Sequence, residues 1–446
     1  MRRIAQLLSI GGGAFAVLGL SKVHARWVAD SPYDFTGSFR LTWALGYVVL
    51  LAVAAYAVGL PDTPRSWKHA SVHALLAAGV AALGVSVLQL LAGDALLPRF
   101  VVFGAALLTI PYQVAINALS RSGRTRGEDR DRVLLIGAPS ERERLLDDLR
   151  LEPERAASLV ASLTPADAAG SPGHNPILDA QLASGATVVV LDRYAQAEDR
   201  VIAQAAKLHE SGVRVRTLQS FYEEWLGKLP LSELERASLF FDIGEVHGAR
   251  YARFKRILDL AIALCGTVVL AVAIPVVWIG NRFGNQGPLF YRQTRVGKGG
   301  ELFTILKFRT MVAPQGSPDH DSAWTTHADP RVTSFGRFLR RTHLDELPQM
   351  INIVRGDLSV VGPRPEQAHY VEELSDKLAF YNLRHLVRPG LTGWAQVKYG
   401  YAGDERDALE KLQYEFFYLR HQDLKFDLRV MMRTMRSLTG GSGAGR

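Results

Sequence analysis

The sequence predicts three units in one chain: an α-helical membrane unit, a parallel α/β module, and a mixed α/β domain whose leading helix enters the membrane and returns. Three observations predict this. Four apolar stretches open the chain, strand–helix alternation comes next, and a fifth apolar run leads into a segment dense in charges, glycines and prolines. At 446 residues there is room for two or three domains. Lys and Arg number 52 against 44 Asp and Glu, and the excess of +8 suits an anionic partner: a lipid surface, a nucleotide diphosphate or nucleic acid. Nucleic acid is set aside, because no recognition motif or basic recognition helix accompanies the charge and apolar spans do. The one cysteine, Cys265, lies in an apolar run, which excludes an intrachain disulfide and a thiolate metal site.

The membrane unit is expected over 1–120, with spans at about 4–20, 41–60, 71–92 and 99–119, each approaching the ~20 residues a crossing helix needs. The first is the weakest, being short and carrying Gly11-Gly12-Gly13. Arg2-Arg3 and Val23-His24-Ala25 also give it the look of a signal peptide. Retention is the preferred reading, since an even count of crossings leaves the remainder cytosolic. Arg65 and Lys68 in the second loop, and Arg121, Arg124 and Arg126 at the exit, place those segments in the cytoplasm. Lys22, Arg26 and Arg40 in the first loop run against that pattern.

A second unit is expected over 121–250, entered through a polar linker at 120–131. Arg132–Gly137 reads as a buried strand ending in glycine, and Ser158–Leu163, Thr187–Asp192 and Val213–Thr217 as further short strands with helical stretches between them, the pattern of a parallel sheet. The turn Gly137-Ala138-Pro139-Ser140-Glu141-Arg142 lacks the second and third glycines of a dinucleotide fingerprint, so the backbone cannot approach a pyrophosphate closely. The expectation is a Rossmann-like module without a dinucleotide. A structural or dimerising role, with a homodimer as the assembly, stands beside a regulatory nucleotide.

The third unit is expected over 251–439, with a small polar tail after it, 440–446, read as disordered. Its apolar run, Leu260 to Ile279 within a helix at about 257–279, is long enough to span, yet a full crossing would carry the residues beyond it outside the cell. Pro275 interrupts the run, and proline bends or breaks a helix. A re-entrant helix is therefore expected. Leu289–Arg295 and Leu302–Phe308 read as a hairpin joined at Gly297–Gly300, with Lys307 and Arg309 two residues apart on one face. Two such cations can clamp a diphosphate. Asp329-Pro330-Arg331-Val332-Thr333 reads as a helix start with proline at the first position, the helix carrying Arg337, Arg340 and Arg341 towards the carboxylate pair at Asp345-Glu346.

The stretch Leu339–Pro365 carries the chemistry. Leu347, Met350, Ile351 and Val354 recur with helical spacing, and Pro348 is tolerated only in a first turn. The helix is thus expected to begin at about Asp345–Leu347, with Asp345 at or beside its N-cap, where free N–H groups favour an ionised carboxylate and a phosphate. A carboxylate there can attack phosphorus or hold a divalent metal. Pro363 and Pro365 fix the backbone around Arg364, whose planar fork suits phosphate. Arg388-Pro389-Gly390 reads as a turn, and Arg388 and Gln396 are candidates for a nucleotide end. Glu405–Arg420 reads as a charged helix. The run from Leu424 to Arg433 suits either a membrane surface or core packing.

The run LDELPQ…N…GDLSVVGPRP resembles the signature of the bacterial sugar transferases. These are polyprenyl-phosphate hexose-1-phosphate transferases, also called monotopic phosphoglycosyl transferases. The likeness covers about residues 251–435 and takes in KFRTM (Lys307–Met311), DPRVT (Asp329–Thr333) and RPGLTGWAQVKYG (Arg388–Gly400). The amino-terminal half resembles the large members, which add a four-helix membrane unit and a Rossmann-like module. The resemblance implies a re-entrant helix at the bacterial inner membrane, a cytoplasmic catalytic domain, a UDP-sugar donor and a polyprenyl (undecaprenyl) phosphate acceptor. On that basis Asp345 is expected to form a phospho-aspartate and Glu346, with Asp345, to hold Mg²⁺. Lys307, Arg309, Arg364 and Arg388 are expected to position phosphates. Two other readings stay open: a metal-dependent glycosyltransferase using Asp319-His320-Asp321 and releasing UDP, and a non-enzymatic membrane sensor of polysaccharide assembly.

Overall fold

The computed structural model describes residues 2–60, 67–92, 97–122, 130–150, 154–171, 173–230, 249–285, 287–312, 331–378, 380–399 and 405–438. The chain divides into two compact units, one of residues 1–126 with 432–442 and the other of 127–431 with 443–446.

The amino-terminal part of the first unit holds four helices among the described residues: α1 (Arg2–Val23), α2 (Arg40–Ala57), α3 (Trp67–Ala92) and α4 (Arg99–Ser122). The triple glycine does not break α1, which continues through a π-turn at His24–Val28. Alanine dominates the inward faces: Ala44, Ala54, Ala74, Ala77, Ala81 and Ala105 are buried. Lipid tails are as apolar as leucine, so small residues that let backbones approach are what bring such helices together. Gly12 is one such point, lying against the ring of Tyr112. Polar side chains find partners inside: Tyr47 donates to the Val102 carbonyl at 2.8 Å, and Ser9 to Gln113 Oε1 at 2.8 Å. Leucine, valine and phenylalanine such as Leu7, Phe15, Val49, Leu75 and Leu107 point outward. By length and composition α1 (with its π-turn), α3 and α4 can cross a membrane, and α2 is a shorter apolar helix.

The second unit opens with β1 (Asp131–Ile136), α5 (Pro139–Arg150), β2 (Ala157–Leu163), α6 (Pro176–Ser184), β3 (Val188–Leu191), α7 (Asp199–Glu210) and β4 (Arg214–Thr217). The four strands form a parallel sheet in the order β2-β1-β3-β4. Leu134, Ile136, Val189 and Leu191 pack on one face, against α7, and Val133, Leu135, Val188 and Val190 on the other, against Leu145, Phe221 and Trp225. Burial on both faces explains why the central strands β1 and β3 carry continuous apolar runs, whereas β2 and β4 at the sheet edges are only half-buried.

Next comes α8 (Ala249–Gly284), a single helix of 36 residues that runs through Pro275. The hairpin β5 (Phe290–Val296) and β6 (Leu302–Phe308) is antiparallel, as expected from its alternation. Beyond it lie α9 (Ser334–Arg341), α10 (Gln349–Arg355), β7 (Ser359–Val361), α11 (Ala368–Lys377), β8 (Gly390–Thr392), α12 (Trp394–Lys398), α13 (Glu405–His421) and α14 (Leu424–Leu438). Asp329 and Pro330 of the expected start of α9 lie outside the described residues, and the part at Arg331–Thr333 is corrected. Val332 bridges to Met311, and Thr333 caps the helix by accepting from the Gly336 N–H at 2.9 Å. Phe426 and Val430 of α14 are buried in the core with Trp394 and Tyr418, so packing accounts for the buried side of that run.

α8 lies along this region for most of its length. Arg256 donates to the carbonyls of Ile353 and Val354, Asp259 accepts from Ser359 Oγ and the Val360 N–H, and Asn285 donates to the Arg309 carbonyl at 2.7 Å. Between these ties, Gly266 meets Met350 and Gly280 meets the ring of Phe335, both too close for any larger residue without rearrangement. The opposite side of α8 bares Ile257, Leu264, Val268, Val272, Val276, Ile279 and Phe283.

The sheet and the carboxy-terminal helices meet around Lys228, whose side chain is 1% exposed and donates to Asp148 at 2.7 Å and Glu410 at 2.8 Å. Truncating the lysine leaves Asp148 charged and largely out of water, with Glu410 partly exposed beside it. Lys228→Met is therefore expected to cost about 3 kcal/mol, a fall of roughly 5–10 °C in the detergent-solubilised protein's melting temperature. An unchanged melting curve would refute this.

Candidate active site

Asp345 and Glu346 lie in a 3₁₀ turn, Leu344–Glu346, between α9 and α10. This corrects the expected N-cap. Pro348 has no N–H to give to Leu344, so the turn tightens: Leu347 donates to the Leu344 carbonyl, Ile351 to that of Pro348, and regular helix begins only at Gln349 with Pro348 as its cap. His343, with φ of 54°, reverses the chain just before the pair.

Glu346 is the electrostatic centre. Its Oε1 accepts from Lys307 Nζ at 3.0 Å and from Arg364 Nη2 at 3.1 Å. Burial alone would raise its pKa, but these two cations outweigh it and hold the carboxyl well below the usual range. Asp345 is buried beside it and differs. Burial first, then the negative Glu346, push its pKa above the ordinary aspartate value, against the pull of Lys307, Arg340 and His343. Desolvation thus works against the ionised form that a helix terminus is expected to favour at Asp345. Two adjacent carboxyls have had their affinities for a proton driven apart, which is how acid–base roles are commonly divided.

The backbone around Arg364 is gripped from several sides. Arg384 donates to the Arg364 carbonyl at 2.8 Å, and Arg295 to that of Pro365 at 3.2 Å. Arg384 is itself buried in a two-bond pair with Glu415. Arg384, Arg295 and Glu415 are missing from the sequence-derived set, because their partners lie far along the chain and no local pattern marks them.

The remaining candidates separate. Lys307 ends at Glu346, whereas Arg309 falls just past β6 with its guanidinium against Gly287 and its Nε buried without a partner. Arg388 is exposed. Gln396 shares a small cavity with Arg364, Trp394, Glu415 and Tyr418, and its buried Oε1 has no partner. Asp319-His320-Asp321, Arg65 and the tail 440–446 lie outside the described residues. Among the described residues no group of three or more His, Cys, Asp or Glu is placed to hold a metal. A hard divalent ion that takes one or two carboxylates and completes its shell with water and substrate phosphate still fits the Asp345–Glu346 pair, since Glu346 is held ionised.

Residues 250–441 match the family model of the bacterial sugar transferases. Over 186 residues the chain is 39% identical to the UDP-glucose:undecaprenyl-phosphate glucose-1-phosphate transferase of Caulobacter vibrioides, covering 41% of this chain and 69% of that protein. The chain belongs to the bacterial sugar transferase family. Other bacterial sugar transferases extend the likeness. The UDP-N-acetylgalactosamine-undecaprenyl-phosphate N-acetylgalactosaminephosphotransferase of Aeromonas hydrophila is 35% identical over 251 residues, 55% of this chain and 56% of that protein. The Escherichia coli UDP-glucose:undecaprenyl-phosphate glucose-1-phosphate transferase is 37% identical over 185 residues, 41% and 39% respectively. The match thus spans only 56% and 39% of these two curated relatives' own lengths. With its apolar helices, this bacterial sugar transferase is a membrane protein.

Proposed function

We propose that the protein transfers hexose-1-phosphate from a UDP-sugar to undecaprenyl phosphate and releases UMP, as the first membrane step of exopolysaccharide or other surface glycan synthesis. The observation that carries the reading is Glu346, drawn down by Lys307 and Arg364, beside an Asp345 whose carboxyl is buried. Two cations that already bind one carboxylate oxygen can take phosphate oxygens as a diphosphate enters. Asp345 Oδ attacks the phosphorus that carries the sugar, the P–O bond to UMP breaks, and a phospho-aspartate forms. An oxygen of the lipid phosphate then attacks the same phosphorus, expels Asp345 as a carboxylate, and completes the polyprenyl-diphosphate sugar. Splitting the transfer in two avoids bringing three anions together at once. Lys307 and Arg364 orient the donor's phosphates, with Arg309, Arg388 and Gln396 as outer positions along the substrate. Glu346, with Asp345, would hold Mg²⁺, which when bound neutralises the phosphates.

α8 is read as the re-entrant element. At 1.5 Å per residue its 36 residues would measure about 54 Å if straight. Yet Arg256 near one end and Asn285 just beyond the other bond to the same carboxy-terminal region, which favours a helix dipping into one leaflet over one crossing both. The catalytic region then faces the cytoplasm at the bacterial inner membrane, where nucleotide sugars are made.

The module of β1–β4 is read as Rossmann-like but without a nucleotide. Asp192 Oδ2 accepts from the Ala138 N–H at 2.9 Å, and its carboxylate packs on Gly137. A carboxylate therefore occupies the place at the strand ends where such folds put phosphate. The deciding assay is UMP release from a panel of UDP-sugars with undecaprenyl phosphate and Mg²⁺. UMP is expected as the nucleotide product; UDP, or no turnover of any donor, would overturn the reading.

A further inference from the structure

The first residue of α12 joins the sheet module to the neighbourhood of Arg364. Trp394 is buried, and its Nε1 donates to the Gly227 carbonyl at 2.6 Å, just beyond the sheet. Gly227 has φ of 70°, and a Cβ there would lie 3.0 Å from the indole. Four residues on, Lys398 donates to Glu154 at 2.9 Å, so α12 is held at both ends by the β1–β4 module. Its other side leaves no slack towards the site. Trp394 comes directly after Gly393, where a Cβ would stand 2.3 Å from the Gly362 carbonyl. The Gly362 N–H donates to Thr392, and the Gly390 N–H to the Pro363 carbonyl. Gly362 is two residues before Arg364, which shares the cavity beside Trp394. A displacement of the indole is thus passed through glycine-to-glycine backbone contact to the residue that grips Glu346.

We propose that Trp394 is a positioning residue through which the sheet module sets the place of Arg364, so that the module governs donor binding without touching the donor. This rests on the transferase reading, in which Arg364 orients donor phosphates. Packed backbone seams of this kind transmit shifts because they have few alternative arrangements.

The test compares the full-length wild type with Trp394→Phe, which deletes the indole N–H and keeps a ring, and Glu154→Gln, which weakens the hold on Lys398 from within the module. UMP release is measured against UDP-sugar concentration, alongside melting temperature. Each variant is expected to raise KM for the UDP-sugar, Trp394→Phe by about tenfold, a size typical of coupling between sites. The double variant should fall short of the product of the two effects, since both act on one short helix. A merely structural role would lower the melting temperature and leave KM unmoved. KM values within about twofold of wild type, in protein that releases UMP normally, overturn the proposal. Should Trp394→Phe fail to fold, Glu154→Gln decides alone. A wild type that yields no UMP fails the transferase reading first and this one with it.

Discussion

Asp345→Asn is expected to abolish sugar-phosphate transfer, by a factor on the order of 10⁴ or more, because the carboxamide cannot form the covalent intermediate. The shape of the side chain is kept, so the melting temperature should hold. Incubation with donor labelled in the phosphate next to the sugar should mark the wild type and leave the variant unmarked. The pH profile gives a second check. Attack requires the deprotonated carboxylate, and burial together with Glu346 raises the Asp345 pKa. The acid limb of kcat/KM should therefore lie above the ordinary aspartate range, with activity rising as pH rises through it. An acid limb at or below that range, or near-normal turnover by the variant, would remove Asp345 from the role.

Glu346→Gln is expected to lose about 10²–10³-fold in kcat, the usual scale for removing one preorganised charge at a reacting centre. The effect should come with a changed response to Mg²⁺. Lys307 and Arg364 lose their shared anion. The stability consequence has a definite sign. The folded pKa of Glu346 lies below its unfolded value, so its contribution is present at neutral pH and is lost only as pH falls through the depressed folded value. Acid unfolding of the wild type should therefore extend below the ordinary carboxylate range, and the variant should lack that component. A variant with unaltered Mg²⁺ dependence would count against Glu346 as the metal's holder.

Much of this site is legible in the sequence, and the limits come from which forces act locally. The central strands β1 and β3 are readable because a sheet covered on both faces demands unbroken apolar runs there. The hairpin is readable from alternation and its glycines. Lys307, Glu346 and Arg364 come together as their motif neighbourhoods suggest. Sequence misplaces Asp345, because a proline tolerated in a first turn also lacks the N–H that would close it, and Pro348 forces a tighter turn ahead of the helix. Sequence also leaves out the desolvation that raises the Asp345 pKa, because burial is a property of the whole fold, invisible in a window of ten residues. Arg384, Glu415 and Trp394 escape for the same reason: their partners lie 20 to 167 positions away.

One consequence of α8 concerns the lipid itself. A crossing helix must match the full depth of hydrocarbon, and it tilts or strains when the bilayer is too thick or thin. On the re-entrant reading proposed above, a helix tied near both ends to one protein region answers only to the leaflet it rests in. Catalysis in nanodiscs of short- and long-chain phosphatidylcholine should then run at similar rates where the acceptor headgroup stays level, and the protein could serve membranes of differing thickness without adjustment.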